Sequence, residues 1–192
     1  MAKFLIVGLG NIGVEYKNTR HNIGFDIAEA FVSKHQAQFK VGRLAELAEI
    51  RFKGKSAIVI KPTTYMNLSG KAVKYWIDAE KIALHSVLVL VDEVALPLSK
   101  MRLRPSGSDG GHNGLKSIQE ILQTDKYPRL RFGIGNDYPK GRQVDYVLGD
   151  WSPSELPLVK LKIDKCVEVI ENFMTIGIDR TMNEVNKLEF IL

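Results

Sequence analysis

Asn11, His21, Asn67, Asp92, His112 and Asn113 are the residues whose types and spacing could do chemistry together. A histidine backed by a carboxylate can take a proton from water, and the carboxylate fixes the imidazole tautomer and stabilises the charged ring. Asparagine amides both donate and accept without adding charge, so they can pair with a peptide backbone and position a water. An amide N–H of Asn11 or Asn113 could also stabilise an oxyanion. A protein nucleophile has no support. The strained Gly-x-Ser-x-Gly turn is absent, and Cys166 falls within a helical pattern, where a free cysteine is expected to pack. A water activated by histidine is the simplest nucleophile left. His21, Asp92 and His112 also form a two-histidine, one-carboxylate set, but their spacing is not diagnostic and the asparagines are weak ligands, so no metal is expected. Singly, each residue has a plainer explanation, because Asn forms turns and Asp caps helices. Their shared place at the ends of apolar runs sets them apart, whereas His35 and His85 lie outside these loops and read as surface residues.

The elements that must position them are legible as apolar runs. Phe4-Leu5-Ile6-Val7 reads as a buried strand of a parallel or mixed sheet, and Val87 to Val91 reads as a central one. In such sheets ligands sit beyond the carboxyl ends of strands, which is where Asn11, His21 and Asp92 fall. Alternation over Ala48–Phe52 and the run Ala57–Ile60, separated by Lys53-Gly54-Lys55, predict a hairpin. Helices are expected over about 22–36, from Gly70 to about Lys81, after Gly114, from the capping box Ser152-Pro153-Ser154-Glu155 to Gly177, and after Asp179. Met101 and Leu103, alternating with Lys100, Arg102 and Arg104, suggest a strand with a basic face, and residues 130–135 form a further strand.

Gly8-x-Gly10-x-x-Gly13 resembles a dinucleotide-binding fingerprint, but no helix opens on the glycines and no acid stands near the end of a second strand. These glycines are expected to turn the chain and let backbone approach a ligand. The 192 residues, 45% apolar and 26% charged, suit one α/β domain spanning 1–192. A net charge of +5 makes a polyanionic partner plausible. The single Cys166 and the early first strand, with no leader pattern, point to the cytoplasm. No run approaches the roughly 18 apolar residues that span a bilayer.

The segments GLGNIGVEYKNTRHNIGF, KPTTYMNLSG, DGGHNGLKSI, and RLRFGIGN with YVLGDW resemble the bacterial-type peptidyl-tRNA hydrolases, from residue 3 to about residue 160. The resemblance implies a single-domain, three-layer α/β/α protein with a mixed, twisted sheet. It implies an esterase that cuts the bond between an N-blocked peptide and the 3′ ribose of tRNA, a monomer needing no cofactor and no protein partner. By that resemblance His21 is the catalytic histidine, Asp92 the carboxylate that orients it, and Asn11 a further catalytic residue. Asn67, with Met66 beside it, and Asn113 fall on the substrate-binding set, Tyr16 lies near the tRNA 3′ end, and His112 sits in a gate-like loop. Arg104 and Arg131 fall on the basic pair that holds the tRNA 5′-phosphate. Ile12, Ala95, Ser99 and Pro105 depart from the family pattern without removing any of these residues. The rival reading is an RNA-binding relative that does not cleave. It has no need of His21, Asp92 and the asparagines, whose joint presence favours the enzyme.

Overall fold

The apolar runs become the inner strands of one seven-stranded sheet. In the computed structural model, which describes residues 1–192, Lys3–Gly8 (β1) lies between Lys55–Pro62 (β4) and Val87–Glu93 (β5), parallel to both. β5 in turn pairs in parallel with Arg129–Gly133 (β7). Lys40–Val41 (β2), Ala45–Phe52 (β3) and Met101–Arg104 (β6) complete the order β2-β3-β4-β1-β5-β7-β6, with β2, β3 and β6 antiparallel to their neighbours. The β3–β4 hairpin is the expected one, longer at both ends, and turns at Lys53 and Gly54, both with positive φ.

Both faces of the sheet are covered, because β1 and β5 are apolar on both. Leu5, Val7, Val87, Val89 and Val91 pack with Val73 of Ser69–Glu80 (α2) and with Leu115 and Ile118 of Asn113–Leu122 (α3). Ile6, Leu88 and Leu90 face the other way, onto Ile27 and Phe31 of Ile23–Lys34 (α1) and Val169 and Ile170 of Leu156–Thr175 (α5). This is the three-layer α/β/α arrangement with a mixed sheet. A five-residue helix, Gln143–Val147 (α4), was not expected, and Ile178–Val185 (α6) closes the helical series near where it was.

Several expectations need correction. α5 begins at Leu156, after a turn over residues 153–155, although the Glu155 carboxylate still accepts the Ser152 N–H at 2.8 Å as a capping box requires. His35 is not a surface residue, for it bonds Glu171 at 2.8 Å between the rings of Phe31 and Phe52. β6 runs antiparallel to β7, so its carboxyl end lies at the far end of the sheet from those of β1 and β5. The chain after Arg104 must therefore climb back to bring His112 to Asp92. Cys166 is buried against Met101, as a packing residue should be, and burial pushes its thiol up to about 12. No helix is long and apolar enough to cross a membrane.

Candidate active site

α1 meets the end of β1 at backbone contact. A Cβ on Gly8 would lie 2.3 Å from the Gly24 carbonyl, and one on Gly10 would lie 2.8 Å from the Phe25 ring. These two glycines therefore serve helix packing rather than the approach of a ligand, and only Gly13, with φ of 114°, makes a turn that favours glycine. The close seating places the 3-10 turn Arg20–Asn22, at the entrance of α1, beside the carboxyl end of β5.

There Asp92 takes two histidines at once. His21 Nδ1 lies 2.8 Å from Asp92 Oδ2, and His112 Nε2 lies 2.8 Å from Asp92 Oδ1. The carboxylate is 3% exposed, and burial opposes its charge, but the two imidazoles hold it far below the usual carboxylate range. The tautomers follow from the partners. His112 Nδ1 accepts the N–H groups of Gly114 (3.1 Å) and Leu115 (3.4 Å), capping α3, so its proton sits on Nε2 and is donated to Asp92. Both nitrogens of His112 are thereby committed to Asp92 and the helix. His21 donates from Nδ1, which leaves Nε2 as an unpaired base. Burial lowers the His21 pKa, but the adjacent Asp92 charge and hydrogen bond outweigh it and raise the value above 6.5. His21, Asp92, His112 and Asn113 line a cleft of about 90 Å³. The ligand atoms of the histidines and Asp92 lie within 4.8 Å of one another. A metal there would have to displace the two N–H protons that already satisfy the carboxylate.

Asn11 is fixed by a residue that sequence reasoning passed over. The buried Asn22 accepts the Asn11 N–H at 2.8 Å and donates to the Asn11 carbonyl at 2.9 Å. The Met66 N–H donates to Asn11 Oδ1 at 2.7 Å. A backbone N–H can only donate, so Asn11 is left with its Nδ2 donor free. Asn11 and Asn22 line a neighbouring cleft of about 440 Å³. Asn67 and Asn113 are exposed and make no hydrogen bond through their side chains, and Met66 is buried beneath them, its sulfur against Gly114. Tyr65, just before Met66, has a φ of 63°, unusual for a bulky residue. Tyr16 lies in the 3-10 turn Val14–Tyr16, where its carbonyl accepts the Thr19 hydroxyl; its phenol makes no bond to the cluster.

The arginines divide. Arg104 is exposed on β6, while Arg131 is half-buried, bonding Glu93 at 2.9 Å and the Ser108 carbonyl at 2.7 Å. Lys140 and Arg142 are exposed, the latter paired with Asp145. Arg20, also passed over, donates to the Tyr146 carbonyl and to Glu155 and stacks on Tyr146 at 4.2 Å. It thereby packs the YVLGDW segment behind the turn that carries His21, and its adjacency to His21 in one motif was the only signal for it.

Residues 5–190 match the model of the family described as peptidyl-tRNA hydrolase. The chain is 50% identical to a peptidyl-tRNA hydrolase of Parabacteroides distasonis over 184 residues, covering 96% of this chain and 98% of that one. A peptidyl-tRNA hydrolase of Cytophaga hutchinsonii is 49% identical over 184 residues, with 96% and 98% covered. Among solved structures, the crystal structure of peptidyl-tRNA hydrolase from Acinetobacter baumannii superposes with a TM-score of 0.92 at 32% identity, covering 97% of this chain and 95% of that chain. A family match across nearly the whole chain, joined to this fold, means that the chain belongs to the peptidyl-tRNA hydrolase family.

Proposed function

We propose that this member of the family hydrolyses the ester between an N-blocked peptide and the 3′ ribose of tRNA, with a water activated by His21. The observation that carries the reading is the His21–Asp92 bond, which leaves Nε2 unpaired on a ring lining the cleft. His21 Nε2 takes a proton as the water oxygen attacks the ester carbonyl. Asp92 stabilises the imidazolium, and His112, neutral and pinned by α3, keeps Asp92 oriented. The free Nδ2 of Asn11, or the amide of Asn113, supports the oxyanion of the tetrahedral intermediate. Collapse breaks the bond to the 3′ oxygen, which takes the proton back from His21. Asn67, Met66 and Tyr16 bear on the bound peptide and the tRNA 3′ end, and Arg104 with Arg131 on the 5′-phosphate.

The substrate belongs to translation, and a reduced, buried Cys166 suits a cytoplasmic monomer. The test is incubation with N-acetyl-aminoacyl-tRNA and with free-amine aminoacyl-tRNA. The reading expects cleavage of the first and sparing of the second. An RNA-binding relative would cleave neither, and an unspecific esterase would cleave both.

A further inference from the structure

His112 reaches Asp92 on a stretch of chain that has little to stiffen it. Residues 105–112 start at the far end of the sheet, where β6 ends, and include Gly107, Gly110 and Gly111 at φ of 152°, 58° and 84°. Its internal bonds are local: Asp109 accepts the N–H of Gly111 on its carboxylate and that of His112 on its carbonyl. Outside that turn the stretch is held through Gly107, Ser108 and His112.

The Gly107 carbonyl is held by Arg129, a side chain with no exposure at all. Arg129 has no carboxylate partner. Its Nη1 donates to Gly107 at 2.9 Å, its Nε to the Tyr127 carbonyl at 3.3 Å, and its Nη2 to the carbonyls of Tyr127 and Asp125. The guanidinium stacks on the Tyr127 ring at 4.1 Å. Burying a guanidinium without a paired carboxylate is costly, and nearby Arg131 adds a like charge. What the arrangement secures is a planar fork that joins two chain segments, the 123–128 connection and the 105–112 loop. The Ser108 carbonyl is held by Arg131, which is shared with Glu93 and lies nearer the surface.

We propose that Arg129 is a positioning residue for hydrolysis: it anchors the 105–112 loop so that His112 keeps Asp92 aligned on His21. The inference rests on reading the His21–Asp92–His112 cluster as the active site. Without the anchor, only the Arg131–Ser108 bond and the bonds of His112 to Asp92 and α3 are left to offset the entropy of ordering a glycine-rich loop. Asp92 would then rotate, and small misplacements of a base are costly to turnover.

Arg129→Lys keeps the charge, but a single ammonium cannot span both segments as the fork does. Gly107→Ala attacks the same tether from the loop side, where φ of 152° strains any side chain and the added Cβ meets only Arg131 Nη2, at an ordinary contact distance of 3.5 Å. With N-acetyl-aminoacyl-tRNA, each variant should lose about 10-fold or more in kcat with KM little changed. Each should also expose the loop to limited proteolysis. The double variant should be little worse than the poorer single one, because both weaken the same Arg129–Gly107 tether. Wild-type kcat in folded variants overturns the inference, as does a lowered Tm with unchanged kcat per folded molecule, which marks a merely structural role. A rise in KM alone overturns it too, since that marks a phosphate contact. If Arg129→Lys does not fold, Gly107→Ala decides. His21→Ala, measured alongside, separates the two layers. Its retention of turnover overturns the site reading and the inference with it, whereas an inactive His21→Ala beside normal loop variants overturns the inference alone.

Discussion

Replacing Asp92 by asparagine should disable the base without touching it. Asp92 accepts one N–H on each oxygen, from His21 and from His112. An asparagine offers one acceptor and one donor. His112 cannot change tautomer without giving up the two α3 amides that its Nδ1 accepts, about 0.5–1.5 kcal/mol each. The asparagine oxygen therefore turns to His112 and its NH2 to His21. His21 must then accept at Nδ1 and carry its proton on Nε2, where the base was. A lost general base is worth about 10²–10⁴ in rate, or about 3–5 kcal/mol of barrier. We expect kcat to fall by that factor with KM little changed, measured in single turnovers on N-acetyl-aminoacyl-tRNA. The pH profile gives a second reading. The base works only when neutral, so wild-type activity should rise with pH through a His21 pKa above 6.5. Without the carboxylate, burial acts alone on that imidazole and lowers its pKa, so the acid limb of any residual activity should move to lower pH. Nitrogen NMR of the imidazoles would show the tautomer directly. Turnover close to wild type with an unmoved acid limb would refute the reasoning.

Asn22→Ala removes both bonds to the Asn11 backbone and should cost about 1–3 kcal/mol of stability, read by denaturant unfolding, with a loss in kcat larger than any rise in KM. Intact kcat would show that Asn11 needs no clamp. Extended dialysis against EDTA should leave turnover intact, because two N–H protons satisfy Asp92; a loss restored by zinc would overturn the mechanism. Removing the 5′-phosphate from the tRNA should raise KM for wild type but not for an Arg104→Ala, Arg131→Ala variant, and continued discrimination by that variant would place the phosphate contact elsewhere.

How much of this was legible follows from which forces are local. β1 and β5 were readable because strands buried on both faces must be apolar throughout, and β3 because a half-buried strand alternates. The joint placement of His21 and Asp92 followed from strand order, since loops after adjacent parallel strands share one edge. Other features depend on chain distant in sequence. His35 is half-buried through its bond to Glu171 of a helix far along the chain. The direction of β6 is set by pairing with β7, which its four residues do not encode. α4, at five residues, is too short to carry a periodic signal. Arg129 shares a sheet face with Arg131, and only the path of the 105–112 loop decides that one is sealed and the other is not. His21, Asp92 and His112 could be grouped from the sequence, but that both histidines bond the one carboxylate could not, because His112 arrives by that loop.

The most direct test of the account is the turnover of His21→Ala on N-acetyl-aminoacyl-tRNA, with tRNA binding measured on the same preparation. The account predicts a loss of at least ~100-fold in kcat with binding retained, since His21 supplies the base and the phosphate contacts lie elsewhere. Near-normal turnover by a folded His21→Ala protein would contradict it.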